Sequence, residues 1–308
     1  MSEEQPAPWT TEFTQTCIGK TAEELSEIFE EVDLGIMLPG ATPNHLPYKV
    51  YQDMLEEGIR RTIHFHWAGA YDLNGNLLDN DTHIDEFYQR VVLETDYEQL
   101  ASAQIRFESA MRGKEIHVAT PAGTDIRFRI GDRPVTKQDG NASAVRAQNG
   151  QNLIDREIEI PSGAIRVAPI EESVNGYIAF PDAKWNGTDA NRVKVRIRNG
   201  EINGIVAHDG LTAVQTEIHE AGEAGKSFRE FAMGFNPLMP VQTEPYDWIP
   251  YYGYGAGVVR LSLGDNTELG GKVSGGYVRW NFFPDATVKI GDEIWVEDGK
   301  LVYKGGMR

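Results

Sequence analysis

The stretch VKVRIRNG, residues 193–200, decides the fold class of the C-terminal part of the chain. Apolar residues alternate with charged ones, which is the period-two pattern of a strand with one buried face. Asn199-Gly200 then supplies two residues that tolerate positive φ, as a two-residue hairpin requires. Asp298-Gly299 makes the same prediction between two further apolar runs. The sequence therefore predicts a β-rich region from residue 114 onward.

The N-terminal part follows a helical period instead. Residues 21–24, TAEE, have the order of a capping box and precede an apolar helical stripe. Short β-rich stretches at 34–38 and 62–67 flank a predicted helix over 47–60, which is an α/β order. Apolar residues at helical spacing over 82–113 predict one or two more helices.

These two patterns predict two domains in the 308 residues. The first is an α/β N-terminal domain, residues 1–113, and the second is a β-rich α+β C-terminal domain, residues 114–308. A helix predicted over 211–224 interrupts the β-structure of the second domain. The polar, Gly-rich segment 138–152 predicts a loop, either a plain surface loop or one that covers a site.

Charge and composition disfavour several classes of partner. The chain has 29 Lys and Arg against 47 Asp and Glu, a formal net charge of −18, which repels nucleic acids and anionic lipids. No run approaches the roughly 20 apolar residues of a membrane helix, and residues 1–30 lack the pattern of a secretory signal. The single cysteine, Cys17, suits a reducing compartment. We expect a cytoplasmic protein with no nucleic-acid and no membrane partner.

Histidines give a weak metal signal. His64 and His66 lie two apart on a predicted strand, so both imidazoles face one side and could suit a metal. No third ligand follows at a telling distance, so hydrogen-bonded histidines are the favoured interpretation. No nucleophile elbow, Walker loop or zinc helix is present. We expect no metal and no other cofactor, although a site that uses His64, His66 or His208 stays open.

Five segments are dense in Gly, Asn, Asp and Pro, and turns alone do not explain them. They are AGTD (122–125), PSGAIRVAPIEESVNG (161–176), FREFAMGFNP (228–237), YGAGVVRLSLGDNTELGG (254–271) and YVRWNFFPD (277–285). In order and spacing they resemble the aminopeptidase T family of dinuclear metallopeptidases and its relative, the mononuclear iron 2,5-dihydroxypyridine dioxygenase. The resemblance covers about residues 114–304. It implies a mixed N-terminal domain, a β-rich catalytic-type domain and a homodimer.

The resemblance also implies a metal-ligand set, most of which this chain lacks. Family members bind two metals through two glutamates, two histidines and an aspartate from these segments. Glu230 stands at one glutamate position and Ala164 at the other. Arg260 and Arg279 stand at the histidine positions, and Asn281 stands at the aspartate position. A guanidinium has no lone pair to give, so the resemblance implies that the dinuclear site is lost.

The first functional hypothesis is a binding protein. Arg260 and Arg279 would neutralise Glu230 and present planar donor forks to the carboxylate of a peptide or an amino-acid-derived molecule. The protein would be metal-free and aminopeptidase-like, for example an accessory protein of another enzyme. A structural network of arginines and neighbouring acids is an equally weighted alternative.

Asn281 and four other residues of this cleft are further candidates for ligand contacts. Trp248 and Tyr252, in the aromatic segment YDWIPYYGY (246–254), would form a wall for the ligand, or the segment is an ordinary loop over the sheet. Glu171 and Glu172 would meet a ligand ammonium group, or they cap a turn.

The second functional hypothesis is an enzyme. A hydrolase or a ring-modifying enzyme would use Glu230 as general base and Arg260 or Arg279 to stabilise an oxyanion. The binding hypothesis is slightly favoured, because the sequence shows no cluster of metal ligands that would lower the pKa of a water molecule.

Overall fold

The computed structural model describes residues 15–37, 45–58, 60–65, 70–79, 82–244 and 247–302. The chain divides into two compact units, one of residues 1–65 and 142–158 and one of residues 66–141 and 159–308. We call them the small unit and the large unit. Helices and parallel strands form the small unit, and β-structure dominates the large unit, as the predicted fold class requires.

Regular elements are numbered along the chain. The helices are α1 (Ala22–Phe29), α2 (Leu46–Glu56), α3 (Thr82–Glu94), α4 (Tyr97–Met111), α5 (Ala144–Asn149), α6 (Leu211–Glu220) and α7 (Gly222–Lys226). The strands are β1 (Leu34–Met37), β2 (Arg61–Phe65), β3 (Ala70–Tyr71), β4 (Ile116–Ala119), β5 (Asp125–Phe128), β6 (Thr136–Lys137), β7 (Glu157–Ile160), β8 (Ala164–Val167), β9 (Asn175–Ala179), β10 (Ala183–Trp185), β11 (Thr188–Ala190), β12 (Lys194–Arg198), β13 (Glu201–Val206), β14 (Phe228–Gly234), β15 (Ile249–Pro250), β16 (Val259–Gly264), β17 (Val278–Phe283), β18 (Thr287–Ile290), β19 (Glu293–Glu297) and β20 (Lys300–Leu301). No helix within the described ranges is long and apolar enough to cross a lipid bilayer.

In the small unit, helices pack beside a parallel strand pair. α1 begins at the predicted capping box, where the Glu24 amide donates to Thr21 Oγ1 at 3.2 Å and the Thr21 amide donates to Glu24 Oε2 at 2.9 Å. Leu25 and Phe29 of α1 are buried in one apolar cluster with Tyr51 of α2. β1 and β2 pair in parallel, which agrees with the predicted α/β order.

The described part of the large unit contains two large antiparallel sheets and two two-stranded ones, β10-β11 and β15-β3. We call the one with strand order β13-β12-β9-β5-β4-β18-β19-β20 the long sheet, and the one with order β17-β16-β14-β8-β6 the site sheet. Both predicted hairpin turns are confirmed. Asn199-Gly200 joins β12 to β13 with φ angles of 51° and 85°, and Asp298-Gly299 joins β19 to β20 with φ angles of 48° and 75°.

One apolar core fills the space between the inner faces of these two sheets. Ile126 and Phe128 of β5 are buried with the inward residues of the site sheet. The ring centroid of Phe128 lies 5.2 Å from that of Phe231 in β14. Phe107 of α4 packs 5.1 Å from the ring of Trp295. Burying each such ring stabilises the fold by about 1.5–3 kcal/mol, so this core holds the site sheet in place.

The two units divide the chain at points other than residues 113 and 114, where the predicted domains meet, and that domain boundary stays a prediction. α3 belongs to the large unit, where Phe87 packs 5.1 Å from the ring of Trp248. Residues 142–158 return to the small unit, and part of that segment forms α5 rather than the predicted loop over 138–152. The sequence pattern separated helical from β-rich stretches, whereas the division into units depends on contacts between residues far apart in the chain.

Gly234 at the end of β14 is expected to tolerate no side chain. A Cβ there would lie 2.6 Å from the Tyr254 carbonyl carbon, with Gly255 and Gly253 also in its way. We predict that Gly234→Ala lowers the free energy of unfolding by roughly 3 kcal/mol, measured by urea denaturation. Gly204→Ala in β13 is the matched control, because its Cβ would lie 3.7 Å from Arg196 Cβ. Equal stability of the two variants would contradict this close approach.

Candidate functional site

The strand register of the site sheet places a set of polar side chains on one face. Glu230 of β14 lies directly opposite Ser262 of β16. Arg166 of β8 and Arg260 of β16 lie opposite the same residue, Ala232 of β14, from its two sides. Directly paired residues point to the same side of a sheet. We call this side the polar face.

A buried carboxylate with several donors occupies the polar face. Arg166 Nε donates to Glu230 Oε1 at 2.6 Å, and Arg260 Nη2 donates to the same oxygen at 3.0 Å. Arg229 Nη1 donates to Oε2 at 2.6 Å, and Ser262 Oγ lies 3.3 Å from Oε2. Glu230 is fully buried, and the three arginines are nearly so. We call Arg166, Arg229 and Arg260 with Glu230 the arginine cluster.

The arginine cluster keeps Glu230 ionised. Desolvation on its own would raise the pKa of Glu230, but the positive charges of Arg166, Arg260 and Arg229 outweigh it and hold the pKa well below its ordinary value. A carboxylate with so low a pKa is a weak proton acceptor near neutral pH. This environment argues against Glu230 as a general base.

Within the arginine cluster, the one negative charge of Glu230 balances only part of the positive charge. Three guanidinium groups meet one buried carboxylate. Glu268 supplies a second carboxylate from a short turn: its Oε1 accepts from Arg166 Nη2 at 3.0 Å and also from Arg229 Nη2. The Glu268 side chain is 40% exposed, whereas that of Arg229 is 2% exposed. The second anion of the cluster therefore comes from the solvent side.

Sequence reasoning missed Arg166, Arg229 and Glu268. Arg166 and Arg229 each lie inside an apolar strand, in AIRV and in FREFAMG. When a charged residue occurs in a strand whose other residues are apolar, the pattern predicts that a group of opposite charge lies near its side chain. Nothing in the local sequence names that partner, because it lies on another strand or turn.

Arg260 is enclosed by aromatic groups. Its Nη1 donates to the Tyr252 carbonyl at 3.2 Å. The guanidinium carbon lies 5.4 Å from the centre of the Trp280 ring and 5.8 Å from that of Tyr254, distances that suit a cation–π contact. Arg260 Nε is buried without a hydrogen-bond partner among the described residues. The cluster thus retains one unused buried donor.

The backbone at Tyr251 and Tyr252 is held in an unusual conformation. Their φ angles are 23° and 47°, in the left-handed region that bulky residues rarely adopt. This conformation places the Tyr252 carbonyl on Arg260 and the Tyr252 ring 4.9 Å from that of Trp280. Such strain of about 1–3 kcal/mol per residue persists only where surrounding contacts fix it, and it is common at functional sites.

Arg279 and Asn281 lie on the opposite face of the site sheet from Arg260. Arg279 pairs with Leu263 and Asn281 pairs with Leu261, and both leucines belong to the apolar core. Arg279 Nη1 donates to Glu217 at 2.9 Å, and its guanidinium carbon lies 3.4 Å from the centre of the Trp185 ring. The two arginines predicted to share one cleft are therefore separated by the sheet.

The other predicted ligand residues have separate surroundings. Trp248 is fully buried beside Phe87, away from any exposed wall, whereas Tyr252 does border Arg260. Glu171 accepts from Arg133, from the Lys272 amide at 2.9 Å and from Asn266 at 3.2 Å, so it caps a turn. The Glu172 side chain is exposed and lies 3.9 Å from Lys272 Nζ.

The candidate metal histidines do not form a site among the described residues. His64 lies 3.5 Å from Glu157 in the small unit, and His208 is an exposed residue 2.8 Å from Asp209. His66 lies outside the described residues. Nowhere in the part of the chain that the structure describes do three or more His, Cys, Asp or Glu residues stand where they could hold a metal ion.

Solved structures that share this fold include those of the following two proteins. The 2,5-dihydroxypyridine dioxygenase from Pseudomonas putida KT2440 has a TM-score of 0.60 at 16% identity, over 93% of this chain and 99% of its own. AmpT from Thermus thermophilus has a TM-score of 0.60 at 13% identity, over 96% of this chain and 85% of its own. These matches confirm, at the level of the fold, the resemblance that the sequence predicts. No protein-family model and no curated protein sequence matches the chain.

The residues around Glu230 do not fit the metal centre that this fold implies. A metal ion at Glu230 would share its ligand with three guanidinium groups within hydrogen-bond distance. A guanidinium has no lone pair to donate to a metal ion, and its positive charge repels a cation. Arg260 therefore cannot replace the ligand that a metal ion would need at this point. The geometry suits an anion instead, because the donors converge and one of them is unused.

Removing the buried charge should cost much of the stability. We predict that Glu230→Gln lowers the free energy of unfolding at pH 7 by about 3–5 kcal/mol, because three buried guanidinium groups lose their shared anion. Urea denaturation measures the change. Glu223→Gln is the matched control, since its side chain is 81% exposed and lies 3.7 Å from Lys226. A Glu230→Gln protein as stable as this control would contradict the arrangement.

The same group should make the protein sensitive to acid. The pKa of Glu230 is lower in the folded chain than in the unfolded chain, where it is about 4.3. Its stabilising contribution is therefore fully present above that value and is lost as the pH falls through the folded pKa. We predict that the melting temperature falls more steeply below pH 4 in the wild type than in Glu230→Gln, measured by calorimetry. Parallel curves would contradict it.

Proposed function

We propose that this chain is a metal-free, aminopeptidase T-like binding protein that holds the carboxylate of a peptide or an amino-acid-derived molecule at the arginine cluster. The observation that supports the proposal is the excess of buried guanidinium groups over buried carboxylates on the polar face. A planar guanidinium matches a carboxylate with two parallel donors, which gives both affinity and orientation.

The surroundings of the cluster suggest what else the ligand contains. Tyr252 and Trp280 pack together beside Arg260, and Trp280 is 40% exposed. Amphipathic rings of this kind contribute apolar contact area to a binding surface. A ligand with an apolar or aromatic group next to its carboxylate would use both features.

The enzyme hypothesis has less support from the same geometry. Both oxygens of Glu230 already accept hydrogen bonds, and the pKa of its carboxyl is well below the ordinary value, so it is poorly suited to proton abstraction. What the two neighbours in fold catalyse does not transfer at this level of identity. A homodimer, an accessory role and a cytoplasmic location remain predictions of the sequence.

The proposal can be tested with ligand pairs that differ only in the carboxylate. We expect N-acetylphenylalanine and the dipeptide Ala-Phe to bind, and their C-terminal amides to bind about 10- to 100-fold more weakly, because the amide lacks the charge. Isothermal titration calorimetry at constant ionic strength measures both affinities. Equal affinity of acid and amide would contradict a carboxylate site.

A pair of arginine variants locates the site on one face of the sheet. Arg260→Met should weaken binding of N-acetylphenylalanine at least 10-fold, since it removes the unused donor and the aromatic contact. Arg279→Met is the matched control, because Arg279 lies on the opposite face with Glu217. Circular dichroism confirms that both variants are folded. Retained binding in Arg260→Met would overturn a role for Arg260 in binding the ligand.

A further inference from the structure

Glu268 is the most exposed acid that contacts the arginine cluster. It lies on the turn Thr267–Leu269, and one of its oxygens bridges Arg166 and Arg229. Both arginines are nearly inaccessible, with 6% and 2% of their side chains exposed, whereas 40% of the Glu268 side chain is exposed. A carboxylate therefore reaches two buried cations from the solvent side, as the carboxylate of a bound ligand would.

The cluster needs an anion at this position. With Glu268 in place, the three guanidinium charges are balanced by Glu230, by Glu268 and by Glu159, whose charge also acts on Arg166 and Arg260. Without Glu268, three positive charges would face two negative ones. Uncompensated buried charge is strongly unfavourable, so any departure of Glu268 requires another anion in its place. The requirement is for a negatively charged oxygen that accepts from both Arg166 and Arg229, which any carboxylate can supply.

The turn does not depend on the Glu268 side chain. Asp265 Oδ1 accepts from the Thr267 amide at 2.9 Å and from the Thr267 hydroxyl at 2.7 Å. Asn266 Oδ1 accepts from the Val273 amide at 2.8 Å, and Leu269 is buried. These contacts fix the backbone on both sides of Glu268. Its side chain can therefore rotate away from the arginines while the turn keeps its shape.

We infer that Arg166 and Arg229 form a carboxylate-binding site that Glu268 fills in the free protein and that a ligand carboxylate fills when Glu268 swings out. This inference rests on the proposed function for the identity of the natural ligand. The site itself requires only that a small carboxylate can take the place of the Glu268 side chain.

Chemical rescue by acetate tests the site without a peptide ligand. Glu268→Ala should lower the melting temperature by several degrees, and sodium acetate should restore at least half of the loss, compared with sodium chloride at equal ionic strength. Acetate should change neither the wild type nor Glu223→Ala, because the Glu223 carboxylate is 81% exposed and lies 3.7 Å from Lys226 Nζ. Glu268→Gln should be destabilised but poorly rescued, because its amide still occupies the space.

The outcomes separate this inference from the proposed function. If Glu268→Ala is as stable as the wild type, or is destabilised and gains nothing from acetate, the carboxylate site is wrong. Calorimetric titration of N-acetylphenylalanine into Glu268→Ala adds a second measurement. At least 10-fold tighter binding than to the wild type supports displacement of Glu268, and unchanged or weaker binding overturns it. Rescue by acetate with no binding of any peptide or N-acetyl amino acid would retain the anion site and reject the proposed function.

Discussion

The carboxylate of Glu230 lies beneath the surface of the site sheet, where water cannot solvate it, and the arrangement of three strands depends on how it is neutralised. Its donors come from β8, from β14 itself and from β16. A buried ion pair adds little net stability compared with apolar residues of the same volume, but losing one partner is costly. Glu230 therefore adds little net stability, but its buried charge requires positively charged or hydrogen-bonding residues at the neighbouring positions.

This constraint extends to the aromatic segment beside the cluster. Arg260 uses one donor on Glu230 and another on the Tyr252 carbonyl, so the strained backbone at Tyr251 and Tyr252 has a polar partner that holds it. The Tyr254 ring lies 5.8 Å from the guanidinium carbon of Arg260, and the Tyr254 hydroxyl donates to Glu159. Burial raises the pKa of Tyr254 far above its ordinary value, so its hydroxyl stays neutral and remains a donor. Electrostatics and aromatic packing thus fix the same set of side chains.

Local features of the fold followed from the sequence, and long-range ones did not. Thr21 and Glu24 form the predicted capping box, and Asn199-Gly200 turns the predicted hairpin, because the interactions that decide both lie within a few residues. The separation of Arg260 from Arg279 depends on the register between β16 and β17. A shift of register by one residue exchanges the faces of a strand, and no local pattern reports it.

The candidate site was predictable in the same limited sense. Glu230, Arg260 and Tyr252 were chosen from the sequence, and the structure brings them together. Arg166 and Glu268 complete the same cluster from residues about a hundred positions apart, and only the fold reveals that they meet. Conversely, Trp248 is a residue type that is common in binding sites, but its indole is buried in the core and packs against Phe87.

The retention of so many charges in one buried place calls for an explanation other than stability. Well-packed apolar residues in place of a buried ionic network are often neutral or stabilising, so a chain selected for stability alone would not need this arrangement. Arg260 Nε is also buried with no hydrogen-bond partner in the part of the chain that the structure describes, which costs free energy when no ligand is bound. A bound anion would offset the free-energy cost of the buried charges and would also accept from the unused donor of Arg260. The polar face of the site sheet thus has the positive charge and the hydrogen-bond donors that the proposed carboxylate ligand would need.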